Sequence, residues 1–292
     1  MLDVYKNLFS ERTAKVARLL SRLANDFADT LDRKTNLWGE NKKILLQNKK
    51  FKNIYKNQPG IVMMNGPSLS SNNLEGLNML PTFAASGFYK HPVIEKWSPT
   101  FYFFMDKAYF SENDALAKYY HEFYERISSE TTMIAPIHRG KYFFSKSKAQ
   151  EKREMVYFAS AGDNPLGREC DFGIVIPKLY GTSALALAWA VFCGCNPIYL
   201  LGFDHDYLAN RGVDKHFYEG GTISGGELTN IALADRNPYD LEMLMNYKLW
   251  QNYRWLADCA KRNGQTIINC TDGGYLDVFP RKDWETIKSQ LV

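Results

Sequence analysis

With 292 residues, 45% apolar, 23% charged and 14% aromatic, the chain has ample material for a hydrophobic core and needs no staples to hold it. A net charge of +4 and a pI near 8.6 are too mild to force a nucleic-acid footprint, so no nucleic-acid partner is expected. Five cysteines, Cys170, Cys193, Cys195, Cys259 and Cys270, are an odd set without metal-type spacing and read as buried thiols in a reducing compartment. The opening "MLDVYKNLFSERTAKV" carries acids and bases where a signal peptide has its apolar stretch, and no window approaches the roughly 18 apolar residues of a membrane span. A cytoplasmic protein is expected.

Along the chain, Leu8, Phe9, Val16, Leu19, Leu20, Leu23, Phe27 and Leu31 recur at helical spacing, and a second short helix fits residues 38–48. Residues 1–57 read as an N-terminal helical extension whose apolar face packs on the main domain or on a second subunit, leaving room for a homo-oligomer. Lys42, Lys43, Lys49, Lys50, Lys52 and Lys56 crowd a stretch in which Glu40 is the nearest acid. That is a solvated connector or, in the sharper reading, a patch for anionic lipid or a polyanionic glycan, hence peripheral contact with the inner face of the cell membrane.

After Gly60 the texture changes. Strands are expected at 61–64, 82–85, 101–105, 131–135, 156–158, 197–201 and 266–269, with helices between several of them. "GTSALALAWAVFCG", residues 181–194, is apolar nearly all round and closed by glycine, so it is a buried helix. Another opens at "NPYDLEMLM", with Asn237 as cap and Pro238 at the first helical position, and runs to Gly264. This alternation predicts an α/β fold: a Rossmann-like parallel sheet flanked by helices over residues 58–292, with a lid at about 205–237.

In an open α/β sheet, ligands bind beyond the carboxyl ends of the strands. After the first strand come Asn65, Gly66, Pro67 and Ser68: the glycine permits close backbone approach, the proline presets a helical φ, and the N–H groups of Ser68 and Leu69 can face an anion. Gly181, Thr182 and Ser183 form a second helix start with free N–H groups and two hydroxyls. The plainer alternative for the two segments is an ordinary turn and simple helix capping. Asp204 and Asp206, in "GFDHD", suit either a Mg²⁺ pair or a turn cap with a ribose contact. The glycine-rich stretch 210–230 has the length of a lid, and it holds His216, an imidazole of the type that serves as a general base.

"NGPSL" after the first strand, Gly181-Thr182-Ser183 opening an Ala-rich helix, "GCNPIYLLGFD", and then Lys215-His216-Phe217-Tyr218, taken in order, resemble the bacterial CMP-sialic acid-dependent sialyltransferases of glycosyltransferase family 42. They also resemble a broader Rossmann-like group named after 6-hydroxymethylpterin diphosphokinase, which includes motility-associated glycosyltransferases. The likeness spans roughly residues 60–280. It implies a nucleotide-sugar donor, CMP-linked, and a glycan acceptor in cell-surface polysaccharide synthesis. Asn65, Gly66, Pro67 and Ser68 would hold the nucleotide, Gly181, Thr182 and Ser183 the phosphate and sugar carboxylate, and His216 would act as base. No cofactor or metal is implied for the sialyltransferases, whereas the diphosphokinase alternative takes ATP and needs Mg²⁺ at Asp204 and Asp206 or at Asp106.

The chain departs from the sialyltransferase pattern at Ser86, which with Gly87 stands where that family has Asn-Gln, and at Asp106, which replaces an Asn. Both positions would touch the donor, as would Asp204. Tyr207 and Tyr218 are the candidates for the leaving-group tyrosine, since the spacing differs by one residue. A non-enzymatic nucleotide-binding protein is the third reading.

Overall fold

The computed structural model describes residues 16 and 20 and residues 39–111, 114–146, 153–210, 216–218 and 238–291. Its β-type runs form β1 (Gly60–Met63), β2 (Thr82–Ala85), β3 (Phe101–Phe103), β4 (Thr132–Pro136), β5 (Met155–Phe158), β6 (Ile198–Leu201) and β7 (Ile267–Asn269). All pair in parallel, in the order β5-β4-β3-β2-β1-β6-β7. The helices are α1 (Glu40–Gln47), α2 (Asp114–Arg126), α3 (Ile137–Lys146), α4 (Thr182–Phe192), α5 (Tyr239–Arg262) and α6 (Trp284–Lys288). This is the expected α/β, Rossmann-like sheet. β3 ends at Phe103, two residues short of its expected bound, because the chain turns there towards the cap formed by Asp106.

The strands are buried on both faces, as parallel strands between helix layers must be. Alternation divides their side chains: Ile61 and Met63 join one core with Tyr102, Phe104 and Phe123, whereas Val62 joins the other with Phe83, Phe101 and Trp189. α4 lies in the second core with every residue from Ser183 to Phe192 buried, which explains its lack of a polar face. α5 covers it through Leu249, Tyr253, Leu256 and Ala260, residues at three- and four-residue steps. Pro238 sits at the N-cap of α5 rather than inside its first turn, and the helix stops at Arg262 before Gly264, whose φ of +71° needs glycine.

Of the expected N-terminal stripe only Val16 and Leu20 are described, both exposed; the rest lies outside the described residues. Residues 40–57 are built into the domain. Leu45 and Phe51 are buried, Asn48 Nδ2 donates to the carbonyls of Tyr157 (2.8 Å) and Phe172 (2.9 Å), and Asn53 and Tyr55 donate N–H to Phe192 and Cys193. The lysine run is partly neutralised by acids remote in sequence: Lys50 pairs with Glu154, and Lys52 with Asp171 at 2.7 Å. The five cysteines are free and buried. No helix among the described residues is long and apolar enough to cross a membrane.

Candidate functional site

The strand order reverses at β1. The chain winds from β1 out to β5, then crosses back to place β6 on the other side of β1. A crevice opens at such a switch point, beyond the carboxyl ends of the two strands. The segment after β1 holds Asn65 to Ser68 and the segment after β6 holds Gly202 to Asp206, so two motifs far apart in sequence meet there.

They meet in direct contact. Ser68 Oγ donates to Asp204 Oδ2 at 2.7 Å, Ser68 N–H to Asp204 Oδ1 at 3.2 Å, and Gly66 N–H to the Gly202 carbonyl at 3.0 Å. Leu69 N–H is taken by the Gly66 carbonyl. The expectation that Ser68 and Leu69 present free N–H groups to an anion is therefore corrected: the protein's own carboxylate closes this turn. Gly66 is required for space rather than for φ, which is −60°. A Cβ there would lie 1.8 Å from Asp204 Oδ2. Pro67 opens the short 3-10 helix Pro67–Ser71 as its type predicts. Burial raises the Asp204 carboxyl above its ordinary value, opposed by the Ser68 hydrogen bonds and reinforced by Asp206. Asp206 accepts from Asn210 Nδ2 at 2.8 Å. Among the described residues no group of three or more His, Cys, Asp or Glu is arranged to hold a metal ion.

Asn65 Nδ2 donates to the Ala85 carbonyl at 3.0 Å, tying the β1 turn to the end of β2. Its Oδ1 is buried and has no hydrogen-bond partner among the described residues. The residue just after β2, Ser86, has φ +55°, a left-handed conformation that costs a non-glycine residue energy. Its carbonyl is pinned by the hydroxyls of Tyr102 (2.7 Å) and Tyr119 (2.8 Å), which hold the strained turn.

His216 and Tyr218 reach this same edge. Phe217 N–H donates to the Asn65 carbonyl at 3.1 Å, and Phe217 packs on His91 and Phe88. Tyr218 lies over Gly87, where a Cβ would meet its ring at 2.2 Å, and stacks on His216 at 5.1 Å. Lys90 Nζ stands 4.8 Å from the Tyr218 ring centre. The remainder of the expected lid, apart from residues 205–210, lies outside the described residues. Asp106 works as a cap, accepting Ala108 N–H at 2.9 Å.

α4 begins on the other side of the crevice. Gly181, extended at φ −176°, offers no side-chain cap, and the first intrahelical bond is Leu185 N–H to the Gly181 carbonyl. No hydrogen bond involves the N–H groups of Thr182, Ser183 or Ala184 among the described residues. Ser183 Oγ lies 2.7 Å from Tyr253 OH, which lies 2.6 Å from His205 Nε2. This chain of three polar groups joins the start of α4 to the end of β6. Burial lowers His205 to about 4 and raises Tyr253 well above its ordinary value, so the imidazole is neutral and the phenol protonated at pH 7. His205 itself has φ +50°. In the sequence His205 is only the residue between two candidate aspartates, and Tyr253 is one apolar-face position among several in α5, so neither carries a local signal of this link.

Tyr207 is separated from Tyr218. Its ring lies 6.1 Å from His205, on the β6 side. Partial burial and the Glu242 carboxylate raise its phenol above its ordinary value, although the side chain is 46% exposed, so solvent tempers the rise. The same side carries a cleft of about 530 Å³ lined by His205, Leu208, Tyr239, Tyr247, Trp250 and Arg254, among others.

No protein-family model and no curated protein matches this chain. Solved structures with a similar arrangement of elements include the MAf glycosyltransferase from Magnetospirillum magneticum AMB-1, at TM-score 0.48 and 12% identity over 84% of this chain. This chain spans 38% of the length of that one. They also include the sialyltransferase CstII from Campylobacter jejuni in complex with a substrate analogue, cytidine-5'-monophosphate, at TM-score 0.43 and 13% identity, over 77% of this chain and 85% of that one. CST-II in complex with a trisaccharide acceptor and CMP gives TM-score 0.41 at 13% identity, over 76% of this chain and 85% of that one.

Proposed function

We propose that the chain is a glycosyltransferase that moves a sugar from a nucleotide-sugar donor, CMP-linked, to a glycan acceptor by inverting displacement. The observation that carries this reading is the start of α4, where N–H groups unclaimed among the described residues and the Thr182 and Ser183 hydroxyls stand beside the switch-point crevice. Unmatched N–H groups and the helix dipole favour a phosphate there. Asn65, with its buried acceptor oxygen, would meet a donor group of the nucleoside, and an acceptor left unmatched costs about 1–3 kcal/mol. Gly66, Pro67 and Ser68 shape the floor under that nucleoside, and Ser86 and Asp106 stand at the ends of the neighbouring strands. The order of the motifs along the chain supports a sialic acid or related nonulosonate as the sugar.

His216 would take the acceptor hydroxyl proton as that oxygen attacks the anomeric carbon. Tyr207 or Tyr218 would donate its phenol O–H to the departing phosphate. His216→Ala is expected to fold and to lose about 10²–10⁴ of turnover; unchanged turnover would remove it from the mechanism.

Thermal shift against CMP, UDP, GDP and ADP, each with and without Mg²⁺, tests the reading. A ligand at 100 times its Kd that binds only the folded state adds about 2.7 kcal/mol. Metal-independent stabilisation by CMP is the expected result. Stabilisation by ADP alone, and only with Mg²⁺, would replace glycosyl transfer with pyrophosphate transfer from ATP.

A further inference from the structure

A hydroxyl has one proton to give, so a chain of hydroxyls runs in one direction or the other. In the link from α4 to the end of β6, Ser183 Oγ lies 2.7 Å from Tyr253 OH, and Tyr253 OH lies 2.6 Å from His205 Nε2. If Nε2 accepts, Tyr253 donates to His205 and Ser183 donates to Tyr253. The Ser183 proton is then taken up inside the protein. If Nε2 carries the proton, His205 donates to Tyr253, Tyr253 donates to Ser183, and the Ser183 O–H is left to point away from the link. Ser183 Oγ stands at the mouth of the helix: it is on the second residue of α4, and a Cβ added at Gly181 would come within 3.4 Å of it.

The surroundings of the imidazole choose between the two directions. Its Nδ1 makes no hydrogen bond among the described residues. The ring is flanked instead by the rings of Phe203 at 5.9 Å and Trp250 at 5.5 Å, and the indole N–H of Trp250 is taken by Asp277 Oδ1. Neither ring offers an acceptor. A proton on Nδ1 would be a donor with nothing to meet among these neighbours, whereas a bare Nδ1 is only an under-used acceptor, which proteins tolerate more readily. Both ends of the link are also fixed. Tyr253 is fully buried, and His205 holds its place at φ +50°, a costly conformation for a residue with a side chain.

We propose that His205 is a positioning residue of the donor site: it carries its ring proton on Nε2 and, through Tyr253, leaves the Ser183 hydroxyl free to donate to a phosphate at the start of α4. The inference rests on the glycosyltransferase reading and deepens it. A phosphate oxygen only accepts, so an outward O–H matches it, while a hydroxyl turned inwards would present lone pairs to it.

Two measurements test this. Long-range proton–nitrogen NMR spectra of the full chain with isotope-labelled histidine should show Nε2 as the protonated nitrogen of His205, its signals assigned by their loss in His205→Gln. The second is titration of CMP and of cytidine into His205→Gln and His205→Met, two unbranched side chains that share the same backbone conformation. His205→Met gives no hydrogen bond to Tyr253 and should weaken CMP about fivefold with cytidine unchanged. His205→Gln, whose amide N–H can donate to Tyr253, should recover most of the CMP affinity. A proton on Nδ1, equal losses for CMP and cytidine, or equal behaviour of the Gln and Met variants would overturn the proposal, because a merely structural role does not separate the two ligands or the two variants. CMP binding by an unaltered chain whose His205 is protonated on Nδ1 sinks this inference alone. An unaltered chain that binds no CMP sinks the donor reading and this inference with it.

Discussion

Two helix starts face the same crevice, and they are finished differently. The turn after β1 is closed from within: Asp204, brought from the end of β6, takes both the N–H and the hydroxyl of Ser68. The start of α4 is left open, with Thr182 and Ser183 at its first positions and no capping side chain. A carboxylate in the first position does the electrostatic work that a bound anion would do in the second, because both answer the same unmatched N–H groups. Adding a phosphate beside Asp204 would set two negative charges together. On the proposed glycosyltransferase reading, the phosphate therefore belongs at α4, and the β1 turn has a structural and nucleoside-shaping task.

The sharpest way to break the closed turn is Gly66→Ala. The added Cβ would lie 1.8 Å from Asp204 Oδ2 and 2.7 Å from the Gly202 carbonyl oxygen, and the second is backbone that cannot step aside. A loss of about 3 kcal/mol or more is expected in urea unfolding, at the upper end of overpacking costs.

A comparable effect should come from pH at another self-capped turn. His91 Nδ1 accepts Val93 N–H at 3.1 Å, and burial holds its pKa at about 4. The unfolded chain protonates near 6.5, so between pH 6.5 and 4 it binds more protons than the native state and stability falls as pH falls. The full shift is worth about 3 kcal/mol. His205, also near 4, acts in the same direction. Melting curves from pH 7.5 to 4.5 should show the decline, and His91→Asn, which keeps an acceptor, should flatten it. A slope unchanged in His91→Asn would place the acid sensitivity elsewhere.

The smallest effect sharpens the open side. Tyr253→Phe keeps the ring packing but cuts the links to Ser183 and His205. About 1 kcal/mol of stability should be lost, with a severalfold weakening of CMP, read by denaturation and titration. Weakened CMP without any stability change would mean that Tyr253 touches the ligand directly.

The sheet was legible because its strands are β-branched and aromatic runs separated by turn residues, a local signal, and all seven appear near their expected places. Reversal of the strand order at β1 is a property of long-range pairing, and no local pattern carries it. The same limit governs the site. Asn65, Gly66 and Ser68 stood out as a motif, yet Asp204, the partner of Ser68, lies more than a hundred residues away, and the closing of that turn depends on its arrival. Tyr253 is an ordinary residue in an amphipathic helix until α5 is laid against α4. Lys50 and Lys52 looked like an unpaired basic run for the same reason, since Glu154 and Asp171 meet them only in the fold.

Titration of CMP into Ser68→Ala and Ser183→Ala, side by side with the unaltered chain, tests the assignment of the phosphate most directly. Ser183→Ala is expected to weaken CMP about tenfold, the order expected for a lost hydrogen bond to a charged group. Ser68→Ala should bind CMP almost as the unaltered chain does and should instead unfold more easily. A tenfold loss in Ser68→Ala with Ser183→Ala unaffected would put the phosphate on the β1 turn and contradict the account.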